Sequence, residues 1–571
     1  MNVFRAETIT GPRTRAILAS VPTRDPDSQG PPPMATTLLP FGGVAYPCEP
    51  VPRYRLAMPT DSRPQPRDDA YDAVVVGSGL GGVSTAALLA KHGHKTLVLE
   101  QGEGAGGLAH AFKRGEYTFD SAIRVLAEGE MIEGLLAYLD VADECELIHI
   151  DHLYRAQFPD GESIFAPVGL EEFMEAHIRL FPAEEEGIRS FFGLRRQMFL
   201  ETARMPMQVD ARQLGSAMEM APTLFKYRTA TLKDVLDEHL HDPKLKAMAS
   251  ALWPYMGTEP TRLSFFAYSQ FIGVLVDGPY YCQGTFQSLV DAFVTALQRN
   301  GGELVVKTPV TRIVVEDGRV TGVEIEGGRR ISAPIVVSNA DARHTFEDLI
   351  GIDKIPTPFA KRLQRLKPSA SACVLYGATT HDLLQYEPAH ETFIYKHWDH
   401  DDTWRDVLAG RPAGMSMSIM TMLDPTLAPK SEHIIIITAV APYEIGRPWD
   451  EYRDEYMDSL LAEFETTIPN LREHLSFWIG GTPLDIERFT RNHNGATYGW
   501  ELIPPQIGSK RLGHAGPIGG LYLAGHWTEE GPASFRVILS GINTATKILA
   551  DSGSAETIPS FKPSDIPGLA L

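Results

Sequence analysis

Residues 73–107 read AVVVGSGLGGVSTAALLAKHGHKTLVLEQGEGAGG, and the reading of this stretch decides the fold. Ala73 to Val76 is a short apolar run of strand type that breaks into Gly77-Ser78-Gly79-Leu80-Gly81-Gly82. An Ala- and Leu-rich helical stretch follows from Val83 to His92, then a second apolar run from Thr96 to Leu99, closed by Glu100. Gly77, Gly79 and Gly82 have the GxGxxG spacing of a dinucleotide-binding β-turn-α-β unit. The first glycine permits the tight turn, the second admits a pyrophosphate against the backbone, and the third lets helix and strand pack closely. The free N–H groups at the helix start favour phosphate. Glu100, at the end of the second strand, is placed to accept both hydroxyls of an adenosine ribose, which favours an intact ribose over a 2′-phosphate.

The residues beyond the acid choose between cofactors. Gln101-Gly102-Glu103-Gly104-Ala105-Gly106-Gly107 is a second glycine cluster, which a plain NAD domain does not need and an extended FAD molecule would use. Toward the other end of the chain, Leu521-Tyr-Leu-Ala-Gly525-His526-Trp-Thr-Glu529-Glu530-Gly531 reads as strand and polar turn, followed by a helix from Ala533 to Ala550. That gives a third place where a helix start can face the cofactor.

Between these units the pattern changes several times. Phe112 to Arg124 alternates and turns at Gly115, as a hairpin would. From Glu130 to about Leu240 the pattern is mainly helical and carries Met198, Met205, Met207, Met218 and Met220. These suit either an adaptable core or a pocket for a long apolar ligand. Tyr281-x-x-Gly284 opens a further helix, strands alternate from Gly301 to Ile325, and Ile335-Val-Val-Ser338 has the apolar run of a central parallel strand. Residues 355–510 read as a second α/β region with strands at 372–376, 415–420 and 433–440 and a helix at 449–467. The expected division is a Pro-rich arm at 1–69 and a discontinuous FAD-binding domain at 70–130, 280–350 and 512–551. A mainly helical substrate or cap region at 131–279, an α/β substrate region at 351–511 and a tail at 552–571 complete it. The arm, with Pro31-Pro32-Pro33, reads as extended chain or as a strap docking through the apolar 38–46 stretch.

Composition bounds the partners. The 571 residues carry 52 Lys and Arg against 73 Asp and Glu, a net charge of −21, which argues against nucleic acid and against charge-driven binding to an anionic membrane. Cys48, Cys145, Cys282 and Cys373 are scattered without metal spacing, and no grouping of ligand residues in sequence suggests a metal. A reduced, cytoplasmic setting is expected, with peripheral membrane contact as the option that an apolar substrate would favour.

Taken together, these residues resemble the phytoene desaturase-like flavoproteins, the group of carotene desaturases, carotenoid isomerases and retinol saturases. The resemblance runs from about Tyr71 to Ala550. It rests on the VVVGSGLGG fingerprint, Glu100, Gly106-Gly107, the Gly115/Phe119-Asp120 hairpin, Tyr281-x-x-Gly284, Val310-x-x-Ile313 and Val337-Ser-Asn339-Ala340-Asp341. Leu423-Asp-Pro425-Thr-Leu-Ala-Pro429 with His433, Gly481-Thr482-Pro483, Gly495-x-x-Tyr498-Gly499 and the LYLAGHWTEEG stretch extend it. It implies an α/β fold: a Rossmann-type FAD-binding domain of the glutathione reductase/amine oxidase kind, with an interleaved substrate domain and a helical excursion. It also implies non-covalent FAD. Gly77, Ser78, Gly79, Gly81 and Gly82 would lie at the pyrophosphate, Glu100 and Gln101 at the adenosine ribose, and Val310 at the adenine. Gly106, Gly107 and Leu108 would lie beside the isoalloxazine, with Gly525, His526, Phe535, Arg536 and Val537 at the ribityl chain and ring.

Three departures from that family bear on chemistry. His526 stands where many relatives carry Asp, as a cofactor contact or a proton shuttle. Glu529-Glu530 replaces a Pro-Gly type of turn, as an acid/base pair or as solvated carboxylates favoured at a helix start. Arg124 stands beside a pocket expected to be apolar, as an anchor for a substrate carboxylate or phosphate, or simply paired with Glu128 four residues on. Arg124, Glu529 and Glu530 are therefore the catalytic candidates, with His493 and Tyr498 as further groups that could reach the pocket. The leading expectation is an FAD-dependent oxidoreductase moving hydride between flavin N5 and a carbon of a small hydrophobic, conjugated or isoprenoid-like substrate. A redox-neutral cis–trans isomerase, a dehydrogenase or amine oxidase for a polar natural product, and a flavin-carrying binding protein are the alternatives. No motif selects an electron acceptor.

Overall fold

The apolar run Ala73–Val76 (β1) becomes the middle strand of a five-stranded parallel sheet in a computed structural model of the chain, which describes residues 5–7, 64–204, 214–559 and 561. Its neighbours are Thr96–Leu99 (β2), Glu303–Val305 (β3), Ile335–Ser338 (β4) and Leu521–Leu523 (β5), in the order β3-β2-β1-β4-β5. The register runs Ala73↔Thr96 on one side and Ile335↔Ala73 on the other. All four residues of β1 and of β2 are buried, which is why both runs lack polar alternation. The sheet is thus drawn from three separated parts of the chain.

Helix α1 (Leu80–Lys91) starts at the glycine turn and is buried from Leu80 to Ala90. It packs against Phe286–Arg299 (α2) and Ser534–Asp551 (α3). Small residues make that approach close: a Cβ on Gly541 of α3 would collide with the Ser84 hydroxyl of α1. Phe112–Phe119 forms the expected hairpin, Ala111–Arg114 against Tyr117–Asp120, turning at Gly115 with φ +58°.

The second body is an eight-stranded sheet. In spatial order its strands are Arg5–Glu7, Leu475–Gly481, Ser371–Thr379, His433–Ala441, Met415–Ser418, Glu391–Ile394, His152–Gln157 and Ser163–Pro167. Every neighbouring pair in this order is antiparallel except Glu391–Ile394 with His152–Gln157, which is parallel. Residues read as two regions, 131–279 and 351–511, therefore share one sheet. The pleat sends alternate residues of Ser371–Thr379 to opposite faces. Cys373 and Leu375 join the helix Trp449–Phe464 in one core cluster. Ala372, Val374 and Tyr376 face the helical layer and the cofactor domain in another.

Arg5–Glu7 supplies the edge strand beside Leu475–Gly481, while Pro31–Pro33 and the 38–46 stretch lie outside the described residues. Further along the arm, the Arg67 N–H donates to Glu303 on β3 and the Pro64 carbonyl accepts from Thr308. Met198 is in the core, Met218 and Met220 are about half exposed, and Met205 and Met207 are outside the described residues, so the methionines line no ligand pocket among the described residues. No described helix is long and apolar enough to cross a membrane.

Candidate active site

One cavity of 440 Å³ runs along the carboxyl ends of the parallel strands and on between the two sheets. Its position outside the strand ends is where open α/β sheets bind ligands. Gly77, Ser78, Gly79 and Gly81 line its inner end, and Glu100, Gln101 and Val310 extend that wall. Gly106, Gly107 and Leu108 form the middle. Gly525, His526 and the start of α3 at Phe535, Arg536 and Val537 close over it.

The inner end is made mostly of backbone. Gly77 has φ +92°, a turn that side-chain-bearing residues rarely make, and its N–H donates to Leu99. Gly82 does not face the cavity. A Cβ there would be driven into the Gly77 carbonyl, so its role is helix-to-turn packing and it is set aside as a direct cofactor contact. Ser78 ties the turn together: its N–H and hydroxyl donate to Glu100 Oε2 at 2.9 and 2.6 Å, and its carbonyl accepts from Gly106 at 3.1 Å. The other carboxylate oxygen of Glu100 accepts the Gly102 N–H at 2.7 Å. The acid is thereby fixed in orientation before any ribose arrives.

Two features fit the flavin dinucleotide expected from the sequence. Helices α1 and α3 both begin at this cavity, and neither start is capped by a side chain, so both offer free N–H donors to an anionic or polar ligand. A side chain on Gly79 would stand 2.7 Å from Asn339 Nδ2, and one on Gly81 would stand 2.8 Å from the Gly525 nitrogen, so these glycines let the first turn, Asn339 and the Gly525 turn meet closely at the cavity wall. The amide of Asn339, just after β4, sits where a Cβ on Gly79, Gly81 or Gly525 would meet it, so it packs between the first glycine turn and the last. Sequence reasoning placed Asn339 at a strand end and within a motif of the resemblance but assigned it no role at the site. Its place after a central parallel strand was the available signal.

The turn after Gly525 divides the acidic pair. Glu530 is nearly buried and accepts from His514 Nε2 at 2.8 Å, Asn543 Nδ2 at 2.6 Å and Thr528 Oγ1 at 2.8 Å. Burial pushes its carboxyl up, but the His514 charge and these hydrogen bonds outweigh that and hold it down at about 2. A carboxylate this committed is a poor proton acceptor, which corrects the expectation that either acid of the pair would serve. Glu529 differs. Its side chain is 31% exposed, and burial followed by the Glu530 charge pushes its carboxyl up. His514 is the residue that sequence missed, because it stands alone in a glycine-rich loop sixteen positions before its acid. Burial lowers its imidazole, Glu530 more than compensates, and its proton is retained to higher pH than usual. His514, Glu529 and Glu530 hold their ligand-capable atoms within 4.8 Å of one another, yet Glu530 already accepts from three donors, so the group is built as an ion pair with a second acid beside it.

Arg511 supports the same turn. It is fully buried and donates to the carbonyls of Thr528 (3.0 Å), Trp500 (3.3 Å) and His526 (2.8 Å). Burial, then the charge of Arg536, lowers its guanidinium to about 9. His526 itself is pushed down to about 3 by burial and by Arg511, so it lies in the wall as a neutral ring and not as a proton shuttle near neutral pH. Arg536 donates to the Glu530 carbonyl and to Gln270.

Beyond the α3 start the cavity becomes an apolar chamber. Phe266, Phe271, Val274 and Leu275 line it from the helical layer, Val374 and Tyr376 from the large sheet, and Tyr498 and Leu502 from the loop before β5. Tyr498 thus reaches the cavity, and its hydroxyl donates to the Pro254 carbonyl at 3.3 Å. His493 does not line it and instead donates its backbone N–H to Asp341. Arg124 does line it, and its expected pairing with Glu128 is not formed. Residues 121–128 are not helical, so the i,i+4 face does not exist. Glu128 has φ +59°, and burial, then Glu130 and Asp277, raises its carboxyl to about 7 against the pull of Arg536.

Comparison with known proteins agrees with this geometry. The family model described as flavin containing amine oxidoreductase matches residues 80–549. Prolycopene isomerase 1 of an Oncidium hybrid is 28% identical over 86% of this chain and 86% of its own length. Phytoene desaturase (lycopene-forming) of a Paracoccus species is 27% identical, covering 85% of this chain and 99% of that protein. All-trans-retinol 13,14-reductase of Rattus norvegicus is 25% identical, covering 80% and 82%. Among solved structures, cyclohexylamine oxidase from Brevibacterium oxydans superposes with TM-score 0.59 at 14% identity over 85% of this chain and 99% of that one, a likeness of fold. An oxidoreductase from Methanosarcina mazei gives TM-score 0.59 at 15% identity over 84% and 99%. The chain belongs to the flavin containing amine oxidoreductase family and is an FAD-dependent oxidoreductase similar to phytoene desaturases, prolycopene isomerases and retinol reductases.

Proposed function

We propose that this oxidoreductase moves two electrons between FAD and a carbon of an apolar, conjugated or isoprenoid-like substrate, forming or removing a carbon–carbon double bond. The observation that carries the reading is the continuity of one cavity from a glycine cradle to a chamber walled by Phe266, Phe271, Val274, Leu275 and Leu502. The relatives named for phytoene and all-trans-retinol support the same substrate class.

Bound FAD would supply hydride acceptance or donation at N5; the rest falls to the chain. The glycine turns at 77–81 and 106–107 would hold the pyrophosphate side and the ring, and Glu100, already oriented by Ser78 and Gly102, the ribose. The uncapped start of α3 would favour the ring edge where negative charge collects on reduction. The apolar walls exclude water from the reacting carbon. Removal of a hydrogen as hydride leaves a proton to be taken from the neighbouring carbon, and Glu529 is the side chain we assign to it. His514 and Glu530 then act as positioning residues for that turn.

The test is anaerobic mixing of the oxidised holoenzyme with candidate polyenes, with the flavin colour and product mass read together. Bleaching with a product lighter by two hydrogens is expected for desaturation, and the reverse for saturation from reduced enzyme. The 28% identity to a prolycopene isomerase favours a second reading, cis–trans isomerisation, whose product has unchanged mass.

A further inference from the structure

Arg124 is a charged group in the substrate chamber that forms no direct ion pair among the described residues. It is only 7% exposed and lines the cavity between Ile123 and Val125. Its Nη1 donates to the neighbouring Ile123 carbonyl at 3.1 Å and Tyr376 is in hydrogen-bonding reach, while Nε has no partner among the described residues. The two acids whose charge it feels are engaged elsewhere. Asp120 accepts from the Tyr281 hydroxyl at 2.5 Å and the Phe286 N–H at 2.9 Å, and Glu391 accepts from Ser418. A buried cation left in this state costs several kcal/mol unless an anion joins it. The fold supports the position firmly: Tyr376 donates to the Ser121 carbonyl and Ser534, at the start of α3, to the Val125 carbonyl, so the 121–125 segment is fastened on both sides.

The surroundings indicate which anion. Tyr255, Tyr376 and Tyr498 also line the cavity, and burial pushes all three phenols up, so they remain neutral and place no competing negative charge beside Arg124. The guanidinium fork matches a planar carboxylate through two parallel bonds. Asp120 and Glu391 nearby make a doubly charged phosphate a worse fit than a monoanion. A protonated amine would meet a like charge. The walls contributed by Phe266, Phe271, Val274, Leu275 and Leu502 are aliphatic or aromatic, which suits the body of a long ligand.

We propose that Arg124 anchors a carboxylate at one end of an apolar substrate, so that the chamber selects lipophilic acids over the corresponding alcohols, hydrocarbons and amines. This rests on the proposed function only in placing the reacting carbon in the same cavity. Arg124 is then the specificity-determining residue, and its distance from the flavin end fixes which carbon is presented.

The test is equilibrium dialysis of the oxidised holoenzyme with two matched pairs, retinoic acid against retinol and geranylgeranoic acid against geranylgeraniol. The native protein is expected to bind at least one acid about tenfold or more tighter than its alcohol, the scale of one charge-assisted pair. Arg124→Gln should erase that preference and leave alcohol binding and FAD content as they were. Arg124→Lys should keep part of it, since it restores the charge without the fork. Equal binding of acids and alcohols by the native protein, a preference that survives Arg124→Gln, or failure of both acids to bind would overturn the proposal. Flavin bleaching with the same ligands reads the redox function separately. Acid-selective binding with neither bleaching of the oxidised enzyme nor recolouring of the reduced enzyme leaves the anchor standing and removes the redox reading, whereas either colour change with alcohols and no acid preference does the opposite.

Discussion

The two ends of the cavity are built on opposite plans. The inner end is backbone: glycines at 77, 79, 81, 106, 107 and 525, two uncapped helix starts, and one acid held by Ser78 and Gly102. The outer end is side chains from segments far apart in sequence, with Tyr255 and Phe271 facing Tyr376 and Tyr498. A backbone cradle constrains sequence locally, because only glycine fits, whereas a side-chain chamber can be rebuilt one wall at a time. That difference teaches where the cofactor is fixed and where substrate choice is open to change.

If the inner end is set by close packing, enlarging it must be the most damaging change. Gly82→Val forces a Cβ and two methyls into the Gly77 carbonyl. A cost of about 3 kcal/mol at the cofactor turn is expected from such overpacking. The purified variant should be colourless or bind FAD roughly a hundredfold more weakly. Retained colour at native affinity would break the contrast between the two ends.

The acidic turn between them is the next lever. Glu530→Gln leaves the His514 charge buried without its partner, and a loss of about 3 kcal/mol in unfolding free energy is expected. The pH dependence follows from the shifts. Glu530 is held below its usual 4.5, so its contribution is complete above 4.5 and is lost as pH falls toward 2. His514 is held above 6.5, so its contribution is complete below 6.5 and is lost as pH rises through the higher folded value. Thermal unfolding against pH should show both limbs in the native protein and lose both in Glu530→Gln.

Glu529→Gln sharpens the comparison by separating chemistry from support. Turnover should drop on the order of a hundredfold, as for loss of a general base, while FAD content is kept. The rise of native activity with pH should be centred above 4.5, following the upward shift of the Glu529 carboxyl, and should vanish in the variant. Unchanged turnover would take Glu529 out of the mechanism. The smallest effect belongs to Tyr498→Phe, which removes one long hydrogen bond to Pro254 and should cost about 1 kcal/mol or less in stability.

Legibility in the sequence followed the same divide. The 73–107 stretch carried strand, turn, helix, strand and acid within thirty-five residues, and each has its counterpart in β1, α1, β2 and Glu100. The Phe112–Asp120 hairpin and the helix after Gly531 were equally local. What escaped was long-range. The parallel pairing of Glu391–Ile394 with His152–Gln157 joins strands more than two hundred residues apart, and nothing in either run names the other. His514 and Arg511 sit in a loop without periodicity, and their importance comes only from folding against the 526–530 turn. Arg124 was visible as an oddity, but its pairing with Glu128 assumed a helix that the Gly129 start of the next helix rules out.

The most direct test of the account is the anaerobic reaction of oxidised holoenzyme with an apolar polyene, following flavin absorbance and product mass in one sample. The account predicts bleaching in step with a product two hydrogens lighter, or recolouring of reduced enzyme with a product two hydrogens heavier. A product of unchanged mass formed with no net change in flavin colour would contradict hydride transfer and leave isomerisation in its place.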